Sequence, residues 1–77
     1  MFQTIVDMRP GQRAKIIKVN SSGKINKRII DMGVVPGAII EFEQVAPLGD
    51  PVKIRIKGYR LSLRKNEASQ IHIEIQQ

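Results

Sequence analysis

The apolar residues of this chain fall into short runs of period two, interrupted by glycine and proline. The cleanest run is Val52 to Lys57, where Val52, Ile54 and Ile56 alternate with Lys53, Arg55 and Lys57. Successive side chains of a strand point to opposite faces, so this run predicts a strand with one buried and one charged face. Leu61 and Leu63 alternate in the same way with Arg60, Ser62 and Arg64, and Ile71, Ile73 and Ile75 alternate with His72 and Glu74. Ala38, Ile40 and Phe42 make one face of a further strand, with Ile39, Glu41 and Glu43 on the other. An earlier strand begins with Ala14 and Ile16 and runs to Val19. Ile17 breaks its alternation, which predicts a bulge or a strand covered on both faces.

One segment has helical spacing instead. Ile25, Ile29 and Met32 share a helix face, and Ile30 widens the stripe. The helix is roughly two turns long, too short to hold without docking on something. Gly33 stands where a left-handed glycine closes a helix. Pro10-Gly11 and Pro36-Gly37 have the form of type II turns. The stretch from Ala46 to Pro51, with Pro47, Gly49 and Asp50 inside it, reads as a loop. Gly58-Tyr59 reads as a two-residue hairpin turn, and "KNEASQ" as a single helical turn. Together these predict a mainly β fold. It is a small, strongly bent barrel of about five strands, with one short helix after strand 1 and a short helical turn before the last strand. With 77 residues, positions 1–77 form a single domain.

Composition narrows the chemistry. Aromatics are 4% of the chain and tryptophan is absent, so Ile, Val, Leu, Met and Ala must build the core. There is no cysteine, which excludes disulfides, thiolate metal sites and thiol catalysis and fits a reducing compartment. No apolar run approaches the ~20 residues of a membrane span, and the opening residues lack the apolar core of a signal peptide. A soluble cytoplasmic protein is expected. His72 is the single histidine, on an outward position with Glu74 two residues on. That is at most a partial ligand pair, short of a metal site unless a second subunit adds ligands, and a surface histidine explains it better. The acids are scattered and offer no acid–base or nucleophile set, so neither enzymatic activity nor a cofactor nor a metal site is expected. "MGVVPG" (Met32 to Gly37) is no phosphate cradle, because its glycine follows a helix, whereas a cradle's glycines open one.

The net charge of +6 favours acidic partners in general. If Lys57 faces Arg60 across the Gly58-Tyr59 turn, Arg55 faces Ser62 and Lys53 faces Arg64. Lys53, Arg55, Lys57, Arg60 and Arg64 then form one basic patch, with Glu43 and Glu41 opposite Lys53 and Arg55. The patch reads either as an electropositive docking surface or as a solvated strand face partly neutralised by its neighbour. Nucleic-acid modules interleave aromatics with basic residues so that bases can stack. Only Tyr59 is near, which argues against nucleic acid.

The segment "RIIDMGVVPGAIIEFEQVAPLGDPVKIRIKGYRLSLRKNEASQIHIE" resembles FeoA, the ferrous iron transport protein A family. The resemblance rests on Met32-Gly33, Pro36-Gly37, Ala46 through Pro51, Leu63-Arg64-Lys65 and Ala68, and "RPGQRAKI" resembles the family's start. It covers the chain from about Met8 to Glu74. It implies an SH3-like barrel in a non-enzymatic, cytosolic accessory of ferrous iron uptake. The implied partner is the cytoplasmic part of a FeoB-type transporter with a GTPase domain, so contact with the membrane is expected only through that partner. A similar domain ends iron-dependent repressors, which keeps a metal-responsive regulatory domain open as an alternative, beside a basic nucleic-acid-binding barrel. Partner-binding residues are expected at the end of the helix. Adjacent Ile29 and Ile30 cannot both point into one core. One of them, with Met32, Val34 and Val35 nearby, is then left for a partner; the other reading buries the whole face under the barrel. A small homo-oligomer is compatible with the sequence.

Overall fold

A computed structural model of the chain describes residues 3–20 and 23–76, and side chains within the first helix from residue 27 onward. The elements are β1 (Gln3–Thr4), a 3₁₀ turn (Ile5–Asp7), β2 (Arg13–Val19), α1 (Gly23–Asp31), β3 (Ile39–Val45), β4 (Val52–Ile56), β5 (Tyr59–Leu63), α2 (Lys65–Ala68) and β6 (Ile71–Gln76). The strands form a 6-stranded sheet in the order β1-β6-β2-β3-β4-β5, with every neighbouring pair antiparallel. The molecule measures 29 × 28 × 27 Å, so the sheet is curled around its contents rather than laid flat.

The alternation read from the sequence is the alternation that is buried. Val52, Ile54 and Ile56 of β4 face in, as do Leu61 and Leu63 of β5 and Ile71 and Ile73 of β6. Ile16, Ile40 and Phe42 meet them from β2 and β3. A curled sheet with one apolar face gathers these side chains into one cluster, and their removal from water drives the fold.

The turns form where proline and glycine place them. Gly11 has φ +90° and Gly37 φ +95°. The Gln12 amide donates to the Arg9 carbonyl and the Ala38 amide to the Val35 carbonyl, each at 3.1 Å. These are type II turns with glycine at the position that requires positive φ. In the Ala46–Pro51 loop the Gly49 amide donates to the Ala46 carbonyl at 2.7 Å, and the Asp50 carboxylate accepts the Lys65 amide at 3.0 Å. The loop is thereby tied to the start of α2.

Four features differ from the sequence reading or complete it. β1 is an additional edge strand, paired through Gln3–Ile73 and Thr4–His72. At Ile17 the structure chooses the bulge: the β2–β6 register shifts between Ile16 and Lys18. The β4–β5 hairpin turns on Lys57-Gly58, not Gly58-Tyr59. Ile56 pairs with Tyr59, Arg55 with Arg60 and Lys53 with Ser62. Lys57 (φ +51°) and Gly58 (φ +86°) both have positive φ, the signature of a type I′ turn, whose twist matches that of the strands it joins. Finally, β3 shifts register against β4 between Phe42 and Gln44. Glu41 faces Arg55 as expected, but Gln44, not Glu43, sits opposite Lys53. On α1, the expected stripe begins at Ile25, whose side chain lies outside the described residues.

Candidate functional site

Three tethers hold the C-terminal end of α1. The first is the helix stop itself. The Gly33 amide donates to the Ile30 carbonyl at 2.9 Å and the Val34 amide to the Ile29 carbonyl at 3.1 Å. With Gly33 at φ +91°, this is a Schellman closure. Its usual apolar contact is between the residues that Ile29 and Val34 provide here, and both are fully buried. The second tether is the Tyr59 hydroxyl, which donates to the Met32 carbonyl and so joins β5 to the helix end. The third is an ion pair between Arg28 of α1 and Glu67 of α2. Glu67 is buried, and its other carboxylate oxygen accepts the Arg64 amide at 2.8 Å.

This geometry divides the expected partner surface. Ile29 and Val34 are core residues and are not available to a partner, because the helix closure turns both inward. Ile30 is left 42% exposed, since a neighbour in a helix points about 100° away. Met32 and Val35 are half-buried. Tyr59 is 43% exposed while its hydroxyl is engaged. The accessible apolar surface at this end is therefore Ile30 with parts of Met32, Val35 and Tyr59. Leu48, at the tip of the Ala46–Pro51 loop, is 95% exposed.

The hairpin register also redraws the basic patch. Lys53, Arg55 and Arg60 share the outer face of β4 and β5. Glu43, displaced by the bulge, ion-pairs with Arg55 at 3.2 Å and with Arg60 at 3.0 Å. One carboxylate thus bridges two guanidiniums that would otherwise face each other directly. Lys57 leaves the strand pairing. It lies in the turn, where its side chain passes Gly33 and lines a cleft with Arg13, Glu41 and Arg55. Arg64 leaves it too, because β5 ends at Leu63 and Arg64 starts α2. Arg64 lines a separate cleft with Arg28, Asn66 and Glu67. Glu67 carried one sequence signal, an acid three residues after a helix start, but Arg64 is not a residue type that marks such a start.

His72 is half-buried on β6, opposite Thr4 and Lys18. Among the described residues no group of three or more His, Cys, Asp or Glu side chains is placed to hold a metal ion. No helix among them is long and apolar enough to cross a membrane.

The curled sheet with its short helices defines the class, an SH3-like small β-barrel. The FeoA domain matches residues 3–75, and the chain belongs to the FeoA family. A fusion of Fe(2+) transport protein A with Fe(2+) transporter FeoB from Porphyromonas gingivalis (strain ATCC BAA-308 / W83) is 42% identical over 69 residues. That is 90% of this chain but 8% of the fusion protein. Iron(II) transport protein A from Clostridium thermocellum, a solution structure, has a TM-score of 0.90 at 40% identity over 95% of this chain and 45% of its own. Stenotrophomonas maltophilia FeoA complexed with zinc, an SH3 domain protein, shares the fold with a TM-score of 0.82 at 21% identity over 94% of this chain and 89% of its own. This chain thus spans a small part of the fusion protein and less than half of the Clostridium chain.

Proposed function

We propose that this domain is a cytoplasmic accessory of ferrous iron uptake that works by binding, not catalysis, and that its partner is the cytoplasmic part of a FeoB-type transporter. The observation that carries this reading is the Porphyromonas gingivalis relative, in which the matching segment and a FeoB transporter are one polypeptide. Domains that work on each other gain effective concentration from such a link.

The surface proposed for this partner is the end of α1: Ile30, Met32 and Val35, with Tyr59 of β5. It combines exposed apolar side chains with a backbone fixed by the three tethers, so docking costs little ordering entropy. The experiment is a pull-down of the transporter's cytoplasmic domain by the purified chain and by Ile30→Gln. Retained folding with lost capture supports the reading. Undiminished capture by the folded variant moves the interface elsewhere, and no capture by the unmodified chain removes the partner.

A further inference from the structure

The position of the hairpin turn determines how the main chain of β5 is used. A two-residue turn makes its flanking residues, Ile56 and Tyr59, a hydrogen-bonded pair. Alternation then makes Ile54–Leu61 and Val52–Leu63 the other bonded pairs. The N–H and C=O groups of Arg60 and Ser62 point the opposite way, off the sheet. β5 is the last strand in the order, and among the described residues no hydrogen bond reaches the main chain of Arg60 or Ser62. Both residues are exposed. Here the sheet has an open ladder.

The outer face beside this edge carries Lys53, Arg55 and Arg60 against the single carboxylate of Glu43. Glu43, Gln44, Lys53, Arg60 and Ser62 line a cleft of about 310 Å³ next to it. We propose that β5 is a docking edge for an extended acidic peptide segment of a protein partner, which joins the sheet as a further strand. Main-chain bonds to Arg60 and Ser62 would hold the segment. Alternate side chains of an incoming strand lie on the outer face, about 5 Å from the neighbouring strand's residues, so acids at every second position face Arg60 and Ser62, with the long Lys53 side chain behind Ser62 on β4. This is strand addition with charge supplying the specificity.

The same charges disfavour the other occupants. Pairing of β5 with a second copy of itself puts Arg60 opposite or diagonal to its equivalent, with like charges on one face. A nucleic acid would find no aromatic interleaved with these cations, and the Tyr59 hydroxyl is already engaged. The inference is independent of the transporter reading, because it names the chemistry of the segment and not the protein that carries it.

The test is amide hydrogen exchange and chemical-shift mapping on the isotope-labelled full chain. The probes are a panel of heptapeptides alternating glutamate with valine or threonine, the lysine-for-glutamate counterparts, and the acidic peptides N-methylated at every second amide. The expected result is exchange slowed by about tenfold or more at Arg60 and Ser62 with the acidic peptides, lost on N-methylation or charge reversal and weakened by salt. Ser62→Pro removes one outward N–H and leaves the β4 ladder intact, as proline on an edge strand can, and is expected to weaken binding about tenfold. Should that variant misfold, the N-methylated peptides decide. The proposal is overturned if no acidic peptide binds, if binding leaves exchange at Arg60 and Ser62 unchanged, or if N-methylation has no effect. Tighter binding of single-stranded oligothymidylate with those amides unaltered also overturns it and assigns the cluster to nucleic acid.

Discussion

Arg28 of α1 and Glu67 of α2, 39 residues apart in sequence, are joined by an ion pair whose carboxylate is buried and whose guanidinium is half exposed. Glu67 also accepts the Arg64 amide at 2.8 Å, so one side chain caps the start of α2 and ties it to α1. Removing either partner leaves different damage. Arg28→Ala leaves the buried Glu67 carboxylate with only the Arg64 amide, a loss of about 2–3 kcal/mol. Glu67→Ala removes both bonds and frees the main-chain donor of the exposed Arg64, a loss of about 1–2 kcal/mol. Urea denaturation of the two variants and the double variant measures the coupling. A Glu67→Ala cost no larger than that of an ordinary surface substitution, about 0.5 kcal/mol, would show the pair to be incidental.

Gly33 and Tyr59 act on the same helix end by different means. A Cβ on Gly33 would lie 3.4 Å from the Tyr59 hydroxyl, an ordinary contact, so space is not the obstacle. The obstacle is φ of +91°, which costs an L-residue about 1–2 kcal/mol. Gly33→Ala is expected to lose that amount in thermal or urea unfolding. Tyr59→Phe keeps the ring and removes the donor to Met32, for about 0.5–1.5 kcal/mol. If Gly33→Asn is milder than Gly33→Ala, backbone conformation is confirmed as the cause, since asparagine tolerates the left-handed region better.

Glu43 lies between Arg55 and Arg60 at 3.2 Å and 3.0 Å. Glu43→Gln leaves two guanidiniums directly opposite each other on β4 and β5. Cross-strand repulsion of that kind, at the surface, is worth about 0.2–1 kcal/mol. The loss should be larger at low ionic strength and shrink as salt screens it. Stability measured across a salt series checks this; a salt-independent loss would mean the side chain matters for packing in the bulge instead.

The parts of the fold that the sequence announced are those where one local rule decides the outcome. Period two in Val52, Ile54 and Ile56 fixes the buried face of β4, and Pro-Gly fixes two turns. The stop at Gly33 follows from a glycine placed just after an apolar helix stripe. What stayed hidden depends on pairs of distant residues or on local exceptions. β1 is too short to show a period. The hairpin turn needs positive φ at Lys57, a residue type that does not advertise it. Moving that turn by one residue took Lys57 and Arg64 out of the strand pairing and set Arg55 against Arg60. At the helix end the sequence showed that Ile29 and Ile30 cannot both enter one core, but not which of them does. The Schellman closure decides that Ile29 and Val34 go in and Ile30 stays out.

That division makes the sharpest test of the proposed role. Ile29 is fully buried against Val34 and the sheet, so Ile29→Ala removes packed atoms and leaves a cavity, at about 2–5 kcal/mol. Ile30 stands one position further on with 42% of its surface in solvent, and Ile30→Gln should change stability by no more than about 0.5 kcal/mol. Binding reverses the order of interest. Because Ile29 is hidden, its variant should bind the transporter's cytoplasmic domain normally wherever it remains folded, for example at low temperature. The Ile30→Gln variant, folded throughout, should lose capture. Urea unfolding and pull-down on the same two proteins read both quantities. If capture follows stability across the pair, the helix end serves only the core, and the partner surface must lie on another face of the barrel.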